Sequence, residues 1–203
     1  MHLKKNVFGN TIVLLLEISA KIKDTYKSRQ DLVAMKIRKD LHTVDKGNGR
    51  YELPPASYNL TRDEKKAMCE ILRGIRVPSR FTSNIRKLVS MKDLSLYGYN
   101  CHYCHMLLTL FLPIAIRAIK PVYVKMVITR LCYFFNRISQ KVIDEYELQD
   151  LKAFIGETTT QLEMCFPPGF FDMHLMIHMV DQIRALGPLF NRYLLNRAHP
   201  EGP

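Results

Sequence analysis

The stretch Met106-Leu-Leu-Thr-Leu-Phe-Leu-Pro-Ile-Ala-Ile116 decides the fold. It is the strongest apolar run in the chain, and it ends at Arg117 after eleven residues. Spanning a bilayer takes about 20 residues, so the run is predicted to be a buried helix, within helical sequence from about 100 to 119. Pro121 separates it from a second helix at about 121–141. Two more follow at 145–165 and 172–186, punctuated by Gly156 and by the Pro167-Pro168-Gly169 break. Upstream, Leu3, Val7, Leu14 and Ile18 recur at helical spacing within 3–19. A further helix is predicted over Asp24 to Ile37. Residues 43–60 read as a loop, because Lys46-Gly-Asn-Gly49 and Pro54-Pro55 break any regular element. Thr61-Arg-Asp-Glu64 is a capping box. The helix it starts runs to about Leu72, ahead of Gly74 and Pro78. No stretch alternates with period two for long. The predicted fold class is therefore all-α, an irregular multi-helix domain.

The chain has 203 residues, 47% hydrophobic and 24% charged, which are ordinary globular values. That length suits one large domain or one and a half small ones. Nine Gly, ten Pro and five Cys exclude collagen-like, low-complexity and disulfide-scaffold classes. The cysteine count is odd, and several of them sit in apolar helical runs. They read as free thiols of a reducing compartment. Lys4 and Lys5 ahead of Thr11–Leu16 mimic a signal peptide, but the apolar run is short, stops at Glu17 and lacks a small-residue cleavage site. The chain is expected to be neither secreted nor membrane-spanning, and no small-molecule substrate is expected.

The formal charge of +11 is unevenly spread. Residues 1–100 hold 20 basic and 10 acidic side chains, whereas residues 101–203 hold 10 and 9. From Ile71 to Lys92 there is no acidic residue, while Arg73, Arg76, Arg80, Arg86, Lys87 and Lys92 fall inside. Such a window suits the phosphates of DNA, whose counterions basic side chains release. Phe81 lies within it and can stack on a base. The alternative is a solvated helix face and loop.

Two clusters have metal-ligand character. Cys101-His-Tyr-Cys-His105 contains Cys101, His102, Cys104 and His105. His174 and His178 stand four apart, on one face of a helix. Zinc takes four nitrogen or sulfur ligands, which two such pairs from separate helices can supply. The alternative is that these are core residues bonded to backbone groups. Asp144, Glu145 and Glu147 open a helix, where carboxylates stabilise the macrodipole. They are not read as catalytic.

Several strings in order resemble one family. They are Met1-His-Leu-Lys-Lys-Asn-Val7, Lys65-Lys66 with Ile75-Arg-Val-Pro-Ser79, and Ser83-Asn-Ile-Arg-Lys-Leu-Val-Ser-Met-Lys-Asp93. Downstream come Cys104-His-Met-Leu-Leu108, Leu112-Pro-Ile-Ala-Ile-Arg117, Phe166-Pro-Pro-Gly-Phe-Phe-Asp172, His174-Leu-Met-Ile-His178 and Arg197-Ala-His-Pro-Glu-Gly202. Together they resemble the C-terminal portion of a plant CACTA (En/Spm-type) transposase, including the helical domain of unknown function that follows its transposase domain. On that resemblance, residues 1–60 are the tail of the transposase domain plus a loop. Residues 61–203 are the helical domain, separated from an RNase H-like core that this chain lacks.

The resemblance implies a nuclear protein that meets DNA or a full-length transposase. It also implies zinc-type motifs, matched by His102 with His105 and by His174 with His178. Cys101 is not part of the family pattern, and Tyr103 stands where the family carries an acidic residue. The catalytic core of such enzymes holds two divalent metals with two Asp and one Glu. Both Asp positions fall upstream of Met1. The family string Phe-Glu-Arg-Tyr is matched here by Phe190-Asn-Arg-Tyr193, with Asn191 in the Glu place. A neutral amide is a poor substitute for the anionic oxygen that Mg²⁺ prefers. The expectation is a catalytically inactive fragment that retains binding. A structural remnant without selected function is the second reading, and a metal-dependent nuclease built on the histidine pairs is the third. Truncation is also expected to leave an apolar face exposed on the helices of residues 1–40.

Overall fold

Pro113 sets the geometry of the central helix. It lacks the N–H that an α-helix would direct at the Thr109 carbonyl. In the computed structural model, which describes residues 2–18, 24–76, 84–167 and 173–189, the chain widens one turn at that point. Helix α4 (Cys101–Met106) runs into a π-turn (Leu107–Phe111), then α5 (Leu112–Ala115) and a 3-10 turn (Ile116–Ala118). The Leu112 amide reaches back five residues to the Leu107 carbonyl. The Thr109 carbonyl accepts instead from Asn136 Nδ2 at 3.4 Å. The Thr109 hydroxyl donates to the His105 carbonyl at 2.8 Å. The predicted buried helix is present, with Leu107, Leu108, Leu112, Ala115 and Ile116 fully enclosed.

The other helices wrap this one. Helix α6 (Val122–Arg137) lies along the π-turn and α5. It buries Val124, Val127, Ile128, Leu131, Cys132, Phe134 and Phe135, a stripe at helical spacing. Helix α7 (Glu145–Cys165) packs on α6, and α8 (Met173–Leu186) packs on α7. Helix α1 (His2–Leu15) packs on α4 and buries Val7, Phe8, Ile12 and Leu15. The expected exposed apolar face is therefore absent from α1. The shorter α2 (Tyr26–Ala34) does leave Val33 exposed, with Met35 and Ile37 just beyond it. One apolar cluster contains residues from both sides of residue 60, from Val7 to Ile183.

Helix α3 (Arg62–Gly74) opens with the predicted capping box. The Thr61 hydroxyl accepts from the Glu64 amide at 3.3 Å, and the Glu64 carboxylate accepts from the Thr61 amide at 2.9 Å. The same carboxylate accepts from the Lys120 amide at 2.7 Å, tying α3 to the exit of the central helix. Burial pushes this carboxyl up, but the bonds from Thr61 and Lys120 hold it below the usual range. Glu64→Ala removes the cap and orphans the Lys120 amide. Its expected cost is about 2 kcal/mol, read as a lower urea midpoint at unchanged slope.

The predicted all-α class holds, with two additions. Residues 43–60 are not wholly loop: β1 (Val44–Asp45) pairs antiparallel with β2 (Tyr51–Glu52). Gly47, Asn48 and Gly49 turn the chain there with φ of 79°, 55° and 71°. A second pair joins β3 (Val89–Ser90) to β4 (Ser95–Leu96). Strands of two residues are too short to register as period-two alternation.

By length and composition Cys101–Ala118 is apolar enough to cross a membrane, with a mean hydropathy of 1.3 over 18 residues. Half of that window is buried against the surrounding helices.

Candidate functional site

The basic window folds into an edge built from α3, a 3-10 turn (Ile85–Leu88) and the β3–β4 hairpin. Ile85, Leu88, Val89 and Leu96 are buried, and the 3-10 turn and β3 both pack on α3. In a 3-10 turn, residues three apart share a face. Burying Ile85 and Leu88 therefore turns Arg86 and Lys87 outward, and both are exposed. Lys92 sits exposed at the tip of the hairpin. Arg73 and Arg76 are exposed at the C-terminal end of α3, where cations also complement the helix dipole.

None of these five has an ion-pair partner among the described residues. Elsewhere Arg29, Arg38, Arg130, Arg137, Lys152 and Arg184 are all paired. The carboxylates nearest in sequence are engaged. Glu70 lies 3.9 Å from Lys66, and Asp93 accepts from the Ser90 hydroxyl at 2.8 Å. Arg80 and Phe81 lie outside the described residues, as does Asn191.

The two histidine clusters do not converge. Among the described residues no three His, Cys, Asp or Glu side chains form a group able to hold a metal ion. His174 and His178 do meet on one exposed face of α8, with Nε2 atoms 2.9 Å apart and rings at 87°. Two zinc ligands at tetrahedral angles stand about 3.3 Å apart, so 2.9 Å is instead one imidazole donating to the other. Asp181 Oδ2 lies 3.7 Å from His178 Nδ1. A hydrogen bond from Lys152 at 2.6 Å holds the Asp181 carboxyl below its usual range. A carboxylate behind an imidazole is a common support for a metal ligand, but the pair supplies only two of the four ligands zinc needs. A strong chelator is expected to leave the thermal melt unchanged. A melt lowered by chelator would place a metal on His174 and His178.

The first cluster fits zinc less well. Cys104 is buried, and desolvation pushes its thiol up to about 11. His105 accepts at Nδ1 from the Lys4 ammonium at 3.3 Å. Burial, with Lys4 and His102 nearby, pushes the imidazole down to about 4. His102 is exposed, and its ring lies edge-on to Tyr103. In this arrangement Cys104 packs in the core, His105 is bonded to the Lys4 side chain and His102 faces solvent. Likewise Asp144 caps α7 by accepting from the Tyr146 amide at 2.8 Å. Glu145 and Glu147 pair with Arg184 and Arg137.

Sequence reasoning missed Lys4, which is only 5% exposed. The signal was present: Lys4 stands three and four residues before Val7 and Phe8, on the face that buries them.

A family model described as a domain of unknown function, DUF4218, matches residues 138–201. That span takes in α7 and α8 and begins after the basic window in the sequence. No curated protein matches the chain, and no solved structure does.

Proposed function

We propose that the chain is a transposase-derived protein of the CACTA (En/Spm) type, without catalytic activity, that holds DNA electrostatically along the edge formed by α3 and the β3–β4 hairpin. The observation that carries this reading is the set of five exposed cations, Arg73, Arg76, Arg86, Lys87 and Lys92, unpaired among the described residues, on elements that pack against one another. Such a set neutralises phosphates without reading bases. The ancestry is supported by the ordered strings of the sequence and by the DUF4218 match over 138–201. The inactive reading is supported by Asn191 in the place of a catalytic carboxylate. It is supported also by the carboxylates that serve as caps and ion-pair partners, among them Glu17, Asp24, Glu64, Asp144 and Glu147. The compartment that goes with this reading is the nucleus. A full-length transposase is the alternative partner for the same edge.

Titration of a labelled duplex at ~50 and ~200 mM salt tests it. Each phosphate contacted contributes about 0.9 to the slope of log affinity against log salt. Five contacts weaken binding by roughly 500-fold over that range. Binding that ignores salt, or none at the lower salt, contradicts the reading and leaves the structural remnant in its place.

A further inference from the structure

Among the tyrosines, two have side chains without a partner in the described residues, and they stand in opposite electrostatic settings. The other described tyrosines are engaged. Tyr26 stacks on Tyr51, Tyr58 bonds Asp24, Tyr99 meets Phe8, Tyr103 meets His102, Tyr123 bonds the Gln161 carbonyl, and Tyr133 meets Phe154. Tyr146 is 83% exposed but lies among Asp144, Glu145 and Glu147 at the start of α7. Tyr97 is 52% exposed and lies on the basic edge.

The backbone fixes where Tyr97 sits. Its amide donates to the Leu88 carbonyl at 2.9 Å, extending the ladder in which Val89 faces Leu96 and Ser90 faces Ser95. The ring therefore belongs to the base of the hairpin, across from Leu88 and next to the residues Arg86 and Lys87. Lys92 occupies the other end, at the tip. Burial of Leu88, Val89 and Leu96 anchors this ladder against α3. The result is an exposed aromatic residue, without a side-chain partner among the described residues, on the hairpin that carries Lys92 and follows Arg86 and Lys87.

An aromatic face on a basic edge suits bases that are free to leave the stack. In a duplex the π-faces are occupied by neighbouring base pairs, and the backbone alone is presented to such an edge. In a single strand each base offers a face, and stacking adds to phosphate neutralisation without regard to sequence. We propose that Tyr97 is a stacking platform, and that the edge prefers single-stranded DNA to duplex. This inference rests on the DNA-binding reading above and narrows its ligand class.

The chain contains no Trp, so Tyr97→Trp installs a single indole reporter at the platform. The test uses three proteins: the full chain, Tyr97→Trp and Tyr97→Ala. Each is titrated with a thymidine homopolymer and with a mixed-sequence duplex carrying the same number of phosphates, at low salt. The expected result has three parts. The homopolymer binds the full chain more tightly than the duplex. It quenches the indole of Tyr97→Trp. Tyr97→Ala weakens homopolymer binding by roughly tenfold, leaving duplex affinity and the salt slope unchanged. Because Tyr97 is half exposed and its backbone bond survives substitution, both variants are expected to melt like the parent. Salt-dependent binding of both DNAs, with no quenching and no effect of Tyr97→Ala, overturns the platform and leaves the electrostatic reading standing. No binding of either DNA at low salt overturns both.

Discussion

Arg29→Ala is expected to remove about 3–5 kcal/mol of stability, a large fraction of what a domain of this size possesses. Arg29 is 1% exposed. Its Nε and Nη2 donate to the two Asp24 oxygens at 2.6 and 2.8 Å, and its Nη1 donates to the Leu41 carbonyl at 3.0 Å. The Tyr58 hydroxyl donates to the same Asp24 oxygen at 2.6 Å. Burial, and then the Asp24 carboxylate, push the Tyr58 phenol upward, so it stays a donor. The cluster thus joins α2, the 3-10 turn Lys39–Leu41 and the loop before α3.

Its net worth against an apolar replacement is small, because desolvation of two ions offsets most of their attraction. Breaking it is a different matter. Alanine leaves Asp24 enclosed with only a phenol for a partner and opens the space the guanidinium filled. Urea denaturation measures this directly. The double change of Asp24→Leu with Arg29→Met is expected to recover most of the loss, since no charge then remains unpaired. A loss below about 1 kcal/mol for Arg29→Ala would mean that water reaches Asp24 freely.

Lys4→Met is expected to stabilise the protein near pH 7, and the gain is expected to vanish as pH rises to 10.5. Lys4 Nζ donates to Ser139 Oγ at 2.6 Å and lies 3.3 Å from His105 Nδ1. The groups facing it are thus a hydroxyl from beyond α6 and the His105 imidazole of α4. Burial without a counterion pushes the ammonium down from 10.5 to about 8. The folded value lies below the unfolded one, so the stability linked to this group is present above 10.5 and lost as pH falls through 8. At 1.36 kcal/mol per unit, charged Lys4 costs the folded state about 3 kcal/mol at neutral pH.

The buried thiols work the other way. Burial raises Cys69, Cys104 and Cys165 from 9.0 to about 11. Their contribution is therefore present below 9 and lost as pH rises through 11. The difference between Lys4→Met and the parent cancels the thiols and isolates Lys4. A difference that stays flat from pH 7 to 10.5 would show that Lys4 is solvated.

The elements that sequence placed well are those whose burial depends on their own period. Helix α6 carries its stripe from Val124 to Phe135, and α7 starts at its Asp144 cap. Both are legible from local pattern alone. The Thr61–Glu64 box is legible for the same reason. The π-turn was not, because a proline inside an apolar run announces a break without saying how the Thr109 carbonyl is satisfied. Its donor, Asn136, is 27 residues away. The Lys4 partner Ser139 is 135 residues distant, and the Asp24–Tyr58 bond spans 34. Contacts of that separation leave no local trace.

The candidate site divides in the same way. The acid-free window from Ile71 to Lys92 is local, and its described cations all reach solvent. Whether the Cys101–His105 and His174–His178 clusters meet is a question of packing, and among the described residues they form no common metal-holding group.

The DNA-binding reading is best challenged by neutralising the edge. Arg73→Gln, Arg76→Gln, Arg86→Gln, Lys87→Gln and Lys92→Gln are combined in one variant, and its affinity for a labelled DNA at low salt is compared with that of the parent. These side chains are exposed and unpaired among the described residues, so the thermal melt is expected to be unchanged. The affinity is expected to fall more than about 100-fold, and the dependence on salt to flatten toward zero. A variant that melts like the parent and still binds with the parent's affinity and salt slope would contradict the account, because the phosphates would then be held elsewhere on the molecule.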